Sequence, residues 1–222
     1  MYILKLYNAL LDILFPEHCI GCDKFGTPLC ARCGNTIPKS CSTELPYAHA
    51  VFSYKHPYIK ELIWSMKYSG NRRIAQVLAR YIAELLTHDI LESVPFVQKY
   101  ILIPVPLSKK KRRIRGYNQA AWIAEEALKY IDPSIQKKIM YRPELIERYH
   151  KEKSQARTRH RQERLSQIEG AFYISEKMQP FLKNKNIILI DDVTTSGSTL
   201  VEIEQLLQKA GVKQVVAYTI AH

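Results

Sequence analysis

The segment with the clearest potential for chemistry begins with two adjacent acids, Asp191 and Asp192, which follow the apolar run at residues 187–190. Such a run predicts a buried parallel strand, and ligands of open α/β sheets bind at the carboxyl ends of these strands. Burying two carboxylates there without partners would be costly. Because carboxylates repel phosphate, the pair is suited to hydroxyl groups or to a metal ion.

A short loop of hydroxylic residues follows the acids and leads into a predicted helix. The N–H groups at a helix N-terminus, together with the helix dipole, attract anions. Gly197 lets the backbone approach a phosphate closely, and Thr195, Ser198 and Thr199 add hydroxyl donors. The segment therefore predicts a ligand with a phosphate beside a diol, such as a ribose 5-phosphate. The alternative is an ordinary strand–turn–helix in which an acid caps the helix. Neither a Walker A loop nor a dinucleotide-binding glycine pattern is present.

A second polar segment follows the apolar run at residues 100–103, which also predicts a buried strand. Residues 104–106 end that strand, and five consecutive cations occupy residues 109–113. We predict a basic loop over residues 109–115. Cations beside a phosphate site would neutralise a pyrophosphate leaving group. A solvated basic loop and a nucleic-acid-binding patch are the alternatives.

Four cysteines form two CxxC pairs, Cys19 with Cys22 and Cys30 with Cys33. Four thiolates at this spacing favour a closed, structural zinc site, and four unmetallated thiols are the alternative. The fifth cysteine, Cys41, is expected to be an ordinary thiol. This use of cysteine fits a cytoplasmic protein better than a disulfide scaffold.

Apolar runs alternate with amphipathic stretches along the chain. Strands are predicted at residues 48–54, 100–103, 187–190 and 215–220, and helices at residues 58–68, 71–92, 118–130 and 198–210. This alternation predicts an α/β fold with a mostly parallel sheet flanked by helices. We divide the chain into a helix and cysteine module, residues 1–45, and an α/β domain, residues 46–222. The polar, basic residues 142–166 predict a mobile loop that leads into a helix.

Composition narrows the possibilities further. The hydrophobic share of 46% supports a core, and the net charge of +12 predicts an anionic partner. The apolar residues 3–15 are too short to span a bilayer, and no signal-peptide cleavage site follows them. We expect a short amphipathic helix there that packs on the main domain, with docking on a membrane surface as the alternative.

The motifs resemble known families. Residues 187–199 resemble the phosphoribosyl-pyrophosphate (PRPP) motif of type I phosphoribosyltransferases. Pro-Val-Pro-Leu at residues 104–107, followed by Arg-Gly-Tyr-Asn-Gln at residues 115–119, is similar to the ComF/GntX family of competence-associated proteins. Lys-Tyr-Ser-Gly at residues 67–70 and a set of matches within residues 155–172 extend the likeness, which runs from about Leu10 to the C-terminal end.

The resemblance implies an activity and a set of residues. It implies a PRPP-binding protein that displaces pyrophosphate with Mg²⁺, is associated with DNA uptake and contacts a DNA-translocating helicase. Catalytic roles are implied for Asp191, Asp192 and Arg115. PRPP contacts are implied for the same two acids and for Thr194, Thr195, Ser196, Gly197, Ser198 and Thr199. The pyrophosphate loop would comprise Val105, Pro106, Leu107, Lys110, Arg113 and Arg115. The resemblance implies the zinc finger as well.

A nucleic-acid-binding competence partner, in which the phosphoribosyl site is only a sensor or a vestige, is the competing interpretation. The cysteine module, the charge of +12 and a basic tract at residues 142–164 motivate it. That tract contains Arg148, Lys151, Lys153, Arg157, Arg159, Arg161 and Arg164, interleaved with Tyr141 and Tyr149. Binding of this kind to single-stranded DNA would weaken strongly with salt.

Overall fold

The computed structural model describes residues 17–92, 99–148 and 171–222. The strands in chain order are β1 Lys39–Ser42, β2 Ala48–Phe52, β3 Tyr100–Pro104, β4 Ile139–Tyr141, β5 Glu147–Arg148, β6 Phe172–Tyr173, β7 Asn186–Val193 and β8 Gln214–Ala221. Six of them form one sheet in the order β1-β2-β8-β7-β3-β4. Strand β1 is antiparallel to β2, and all other neighbours are parallel. The carboxyl ends of five strands therefore meet at one edge of the sheet.

Helices cover both faces of this sheet. In chain order they are α1 Ala31–Thr36, α2 Pro57–Tyr68, α3 Arg72–Glu92, α4 Lys109–Arg115, α5 Gln119–Tyr130, α6 Pro133–Gln136, α7 Gln179–Leu182 and α8 Ser198–Lys209. Buried residues of α2, α3 and α5 share one core with Ile188 and Ile190 of β7. Buried residues of α8 share the other core with Ile187 and Leu189. Because side chains alternate across a strand, the continuous apolar run of β7 supplies both cores, and the predicted α/β class is confirmed.

The basic loop predicted over residues 109–115 is wrong, because these residues form helix α4. The Ser108 hydroxyl accepts a hydrogen bond from the Lys111 N–H at the start of the helix, and Gly116 ends it with a φ of 81°. Lys and Arg are good helix formers, and a cap at each end stabilises even a short helix. The cations are consequently held on a helix that begins beyond the carboxyl end of β3.

Other boundaries differ from expectation. Strand β7 continues through both acids to Val193, so the pair lies within the strand and not after it. The loop predicted from residue 142 contains β5, which pairs with β6. Residues 149–166 of that predicted loop and helix, like the N-terminal helix predicted over residues 3–15, lie outside the described residues. The predicted domain boundary at residues 45 and 46 stays a prediction, although β1 pairs with β2 across it.

The helices were also compared with the length and apolarity that a bilayer requires. Among the residues that the structure describes, no helix satisfies both requirements for spanning a membrane.

Candidate functional site

The acid pair lies at the carboxyl edge of the sheet, near the end of β7. The chain leaves the strand at Thr194, whose N–H donates a 3.0 Å hydrogen bond to the Ala221 carbonyl of β8. The Thr194 carbonyl lies 3.1 Å from Nδ1 of His222. These contacts hold the start of the following loop against the neighbouring strand β8.

Asp192 is held by three neighbours and is almost closed to solvent. Its Oδ2 lies 2.9 Å from Nζ of Lys67, and its side chain is 7% exposed. The same oxygen accepts a 2.8 Å hydrogen bond from Nε2 of Gln119, and Oδ1 accepts one of 2.8 Å from the Val193 N–H. Both oxygens of this carboxylate are therefore engaged within the protein.

Asp191 is half-buried and less engaged. Its Oδ1 accepts a 2.8 Å hydrogen bond from the Asp192 N–H. Loss of solvent around the carboxyl group and the negative charge of Asp192 raise the pKa of Asp191 well above its ordinary value, and the Lys67 ammonium opposes that rise. A carboxyl group with a raised pKa at the ligand-binding edge of a sheet is a candidate functional group.

The loop from Thr195 to Ser198 turns the chain into helix α8. Gly197 has a φ of 69°, and a Cβ at this position would lie 2.7 Å from Cδ1 of Leu45. Glycine is therefore needed both for the backbone conformation and for the close packing of Leu45. Thr195, Ser196 and Ser198 are exposed.

The first intrahelical bond of α8 runs from the Val201 N–H to the Gly197 carbonyl, at 2.9 Å. The N–H groups that precede Val201 in the helix have no acceptor within it. An anion at this end would be favoured both by these donors and by the helix dipole.

The segment after β3 runs beside the acid pair at the same edge. The Val105 N–H donates a 2.8 Å hydrogen bond to the Ile190 carbonyl of β7, and Nδ2 of Asn118 donates one of 3.0 Å to the Val105 carbonyl. Val105 is buried, whereas Pro106 and Leu107 are partly exposed. The structure therefore brings the start of the predicted pyrophosphate loop next to the predicted PRPP motif.

The cations of that predicted loop form no ion pair with the acid pair among the described residues. Lys110 and Arg113 are exposed on α4, and none of the ion pairs among the described residues joins either of them to the acid pair. Arg115 is partly buried, and its guanidinium carbon lies 5.3 Å from the centre of the Tyr68 ring. The resemblance implies a catalytic role for Arg115, and this role stays a prediction, because the described contact of its guanidinium is with an aromatic ring.

The four paired cysteines form one cluster. Their Sγ atoms all lie within 4.8 Å of one another, and Sγ of Cys22 is 3.6 Å from Sγ of Cys30. Tetrahedral zinc with four thiolates would set neighbouring sulfurs about 3.8 Å apart. The donor set and its spacing therefore fit a structural zinc ion, as the sequence predicted, and the structure places a possible metal site here.

The crowded cluster shifts the pKa values of the Cys19 and Cys33 thiols in opposite directions. Burial opposes ionisation of Cys19, but hydrogen bonds from backbone N–H groups, that of Cys30 first among them, lower the pKa of its thiol to about 6. Hydrogen bonding with Cys22 and burial raise the pKa of Cys33 to about 12. Four thiolates in this space would repel one another, and a divalent cation would relieve that repulsion.

Comparison with known proteins finds similar sequences for most of this chain. Residues 145–222 match the phosphoribosyl transferase domain model. Over 215 residues the chain is 27% identical to competence protein ComFC of Streptococcus pneumoniae, covering 96% of this chain and 84% of the relative. Its identity to competence protein F of Haemophilus influenzae is also 27%, over 91% of this chain and 89% of that protein. The chain is therefore similar to ComF-type competence proteins over most of its length, and residues 145–222 match the phosphoribosyl transferase domain.

Further relatives of this chain are more distant. DNA utilization protein YhgH of Escherichia coli is 25% identical over 70% of this chain and 63% of its own length. Among solved structures, hypoxanthine phosphoribosyltransferase of Staphylococcus aureus matches with a TM-score of 0.37 and 17% identity, over 65% of this chain and 61% of that one. The glutamine PRPP amidotransferase of B. subtilis gives a TM-score of 0.42 and 14% identity, over 73% and 30% of the two chains.

Three residues of the candidate site have no role that the sequence predicts. Lys67 and Gln119 hold Asp192, and Leu45 packs on Gly197. Lys67 and Gln119 each belong to a motif that carried the family resemblance, which is the signal that could have drawn attention to them. Nothing in the spacing around Leu45 indicated its contact, because that contact joins distant parts of the chain.

Proposed function

We propose that this ComF-like protein binds PRPP together with Mg²⁺ at the carboxyl edge of its sheet and transfers the phosphoribosyl group. The observation that carries the proposal is the continuous segment from β7 to α8. It presents a half-buried acid at Asp191, a left-handed glycine at Gly197 and the N-terminus of α8 along one edge. A hydroxyl-binding acid beside an anion-binding helix end matches a sugar phosphate.

The ligand would lie along this edge in a defined direction. Its 5-phosphate would accept hydrogen bonds from residues 194–199 at the start of α8, and its ribose hydroxyls would donate to the carboxylate of Asp191. The pyrophosphate would then point toward Val105, Pro106, Leu107 and the cations Lys110, Arg113 and Arg115. Asp191 would help to hold the Mg²⁺ that accompanies PRPP, and the ion would stabilise the negative charge of the leaving group.

The transfer itself would need little covalent help from the protein. The bond between the ribose C1 and the pyrophosphate oxygen breaks, and pyrophosphate leaves with the electron pair. A bond then forms between C1 and the acceptor, which loses a proton. Positive charge develops on the ribose ring, as in glycoside hydrolysis. Asp191 orients the hydroxyls, while the basic side chains of α4 stabilise the departing charge.

Calorimetric titration of PRPP with Mg²⁺ into the zinc-loaded protein tests the proposal. The parent should bind, and Asp191→Asn should bind roughly 100-fold more weakly, because a hydrogen bond to a charged group is worth about 1.5–3 kcal/mol. Asp132→Asn is the matched control. Asp132 caps α6 at the opposite edge of the sheet, and asparagine caps a helix equally well.

Absence of binding to the folded parent would refute the proposal. Equal weakening by Asp191→Asn and Asp132→Asn would show that the acid pair does not serve the ligand. Pyrophosphate release in the presence of candidate acceptors would then separate a transferase from a protein that only binds PRPP.

A second candidate function, binding of single-stranded nucleic acid, is favoured by one surface. Trp64 and Tyr68 of α2 are 59% and 60% exposed, and their rings lie 5.2 Å apart. Arg115 stacks over Tyr68, and the exposed cations of α4 precede it in the chain. Aromatic platforms beside a basic groove bind single strands by stacking and charge. The names of the relatives, which refer to competence and DNA utilization, also motivate this candidate. A DNA-translocating helicase is the protein partner that we propose with it.

Fluorescence anisotropy with a single-stranded oligonucleotide at two salt concentrations tests this candidate. Trp64→Ala combined with Tyr68→Ala should weaken binding by roughly 10-fold or more. Tyr130→Ala is the matched control, because Tyr130 is also exposed and is also contacted by an arginine, Arg80, at 4.9 Å. Binding that is absent or insensitive to salt would remove nucleic acid as a ligand of this surface.

A further inference from the structure

The two acids of the pair differ in what surrounds them. Asp192 has Lys67 and Gln119 on one oxygen and the Val193 N–H on the other. Asp191 accepts one hydrogen bond on Oδ1, from the Asp192 N–H. Strand alternation explains the difference, since consecutive side chains point to opposite faces. Asp192 therefore faces the layer of α2 and α5, whereas Asp191 lies on the side of α8.

Lys67 is firmly held where it meets Asp192. Its side chain is 20% exposed, so the ion pair is largely shielded from solvent. The end of α2 that carries Lys67 is fixed by Tyr117, whose hydroxyl donates a 2.7 Å hydrogen bond to the Met66 carbonyl. Tyr117 in turn stacks on Trp122 of α5 with the ring centres 3.8 Å apart. The end of the helix that carries Lys67 is thus fixed by this hydrogen bond and by the ring stack behind it.

The charges at this point favour a specific role for the lysine. A negatively charged ligand that approaches two neighbouring carboxylates meets repulsion from both. A cation 2.9 Å from one of them cancels most of its field where solvent is scarce. Releasing Asp192 to a ligand hydroxyl would instead leave a buried ammonium without its partner, which is strongly unfavourable.

We propose that Lys67 is a positioning residue that holds and neutralises Asp192, which leaves Asp191 as the carboxylate of the pair that contacts the ligand. This inference rests on the proposed PRPP site and divides the work of its two acids. Gln119 assists Lys67 by donating to the same oxygen of Asp192. Lys67 influences the ligand through Asp192 and makes no contact with the reacting atoms.

A double-mutant cycle on PRPP affinity tests the assignment. Calorimetry with PRPP and Mg²⁺ is performed on the parent, Lys67→Met, Asp192→Asn and the double variant. Lys67→Met should weaken binding about 10-fold, because neighbouring charges couple by up to a few kcal/mol. The double variant should recover to within about threefold of the parent, since asparagine no longer needs a cation. Lys67→Arg should retain most of the affinity.

Lys129→Met provides the matched control for the loss of an ion pair. Lys129 lies 2.8 Å from Glu126, whose side chain is 2% exposed, within α5. This variant should lower stability and leave PRPP affinity unchanged. A purely structural role for Lys67 would give the same pattern. The pH profile adds a second readout, because loss of the Lys67 charge beside Asp191 and Asp192 should move the profile to higher pH, whereas loss of a merely structural contact should not.

The outcomes separate this inference from the proposed function. A parent that does not bind PRPP overturns both. A parent that binds, with Lys67→Met at parental affinity, overturns the role of Lys67 alone. Equal loss of affinity in Asp192→Asn, in the double variant and in Asp191→Asn would mean that Asp192 itself contacts the ligand. Recovery in the double variant supports the division of roles even if Lys67→Met alone folds poorly.

Discussion

The cysteine cluster and the acid pair each gather negative or potentially negative groups, but they balance that charge differently. Four sulfurs lie within 4.8 Å of one another, and their neighbours are the Cys30 N–H, 3.3 Å from Sγ of Cys19, and the exposed guanidinium of Arg32, which hydrogen-bonds to Cys22. At the acid pair, the protein places its own cation, Lys67, 2.9 Å from Asp192.

This difference separates a structural site from a ligand site. A thiol cluster whose neighbouring cation, Arg32, is exposed to solvent depends on a bound metal for its stability. Because Lys67 neutralises Asp192, the acid pair can be stable without a ligand, and Asp191 stays available to bind one. We therefore expect zinc to matter for folding and Mg²⁺ to matter only for ligand binding. Omitting Mg²⁺ should leave the melting temperature of the ligand-free protein unchanged.

The largest expected effect is that of Cys30→Ser on stability. Loss of one thiolate should abolish zinc retention and lower the free energy of unfolding by about 4 kcal/mol or more. Metal analysis and thermal unfolding of the purified variant measure both changes. Cys41→Ser, which changes the cysteine outside the two pairs, should retain zinc and the parental stability. A Cys30→Ser protein as stable as the parent would contradict this difference between the two sites, because the cysteine cluster would then need no zinc ion.

Gly197→Ala should have the next largest effect. A side chain at a φ of 69° is strained by about 1–3 kcal/mol, and its Cβ would lie 2.7 Å from Leu45. We expect a loss of stability of that size and about 10-fold weaker PRPP binding as the loop shifts. Gly211→Ala is the control, because Gly211 has a φ of 77° but its nearest contact is 3.6 Å away. It should lower stability and leave affinity unchanged, and equal affinity in both variants would contradict the proposed phosphate loop.

The pH dependence of PRPP binding sharpens the comparison at the acid pair. Ionised Asp191 accepts hydrogen bonds from hydroxyl groups, so affinity should rise with pH through its pKa, which desolvation and Asp192 raise above the ordinary range. Asp192→Asn removes a negative charge and should move the profile to lower pH. Comparing variants with the same ligand cancels the titration of PRPP itself. Coincident profiles for the parent and Asp192→Asn would show that the two acids do not interact.

The smallest expected effect belongs to the exposed cations of α4. Lys110→Gln combined with Arg113→Gln should weaken PRPP binding about threefold, because exposed charges contribute at most about 1 kcal/mol. The difference should shrink as salt is added. Calorimetry at two ionic strengths measures it, and Lys183→Gln serves as the exposed control. A loss as large as that of Asp191→Asn would indicate that these side chains close onto the ligand.

Much of the site was predictable because its chemistry is local in the chain. The apolar run, the two acids and the glycine of residues 187–197 predicted a strand that ends beside a phosphate loop. The cysteine spacing likewise predicted a cluster that the structure forms. Helix α4 was also accessible in principle, since Ser108 and Gly116 are ordinary cap residues at its two ends. The prediction of a loop there rested on the run of cations and took no account of these caps.

The remaining features depend on contacts between distant residues, which no local pattern encodes. Gln119 and Asp192 are 73 residues apart in the chain. Asp191 and Asp192 are identical residues next to each other, so the sequence could not show that they have different partners. The short strands β1 and β4 likewise form by pairing with longer neighbours. Residues 149–170 lie outside the described part of the chain, so their contribution to binding stays a prediction.

The central claim is that the start of α8 holds the phosphate of a phosphoribosyl ligand. Backbone amide NMR of the isotopically labelled, zinc-loaded protein, with and without PRPP and Mg²⁺, tests it most directly. The account predicts that the largest shifts fall on the N–H groups of Thr195, Ser196, Gly197, Ser198 and Thr199, with little change in α6 at the opposite edge. Saturable shifts confined to α2 and α4, with none at residues 195–199, would contradict it.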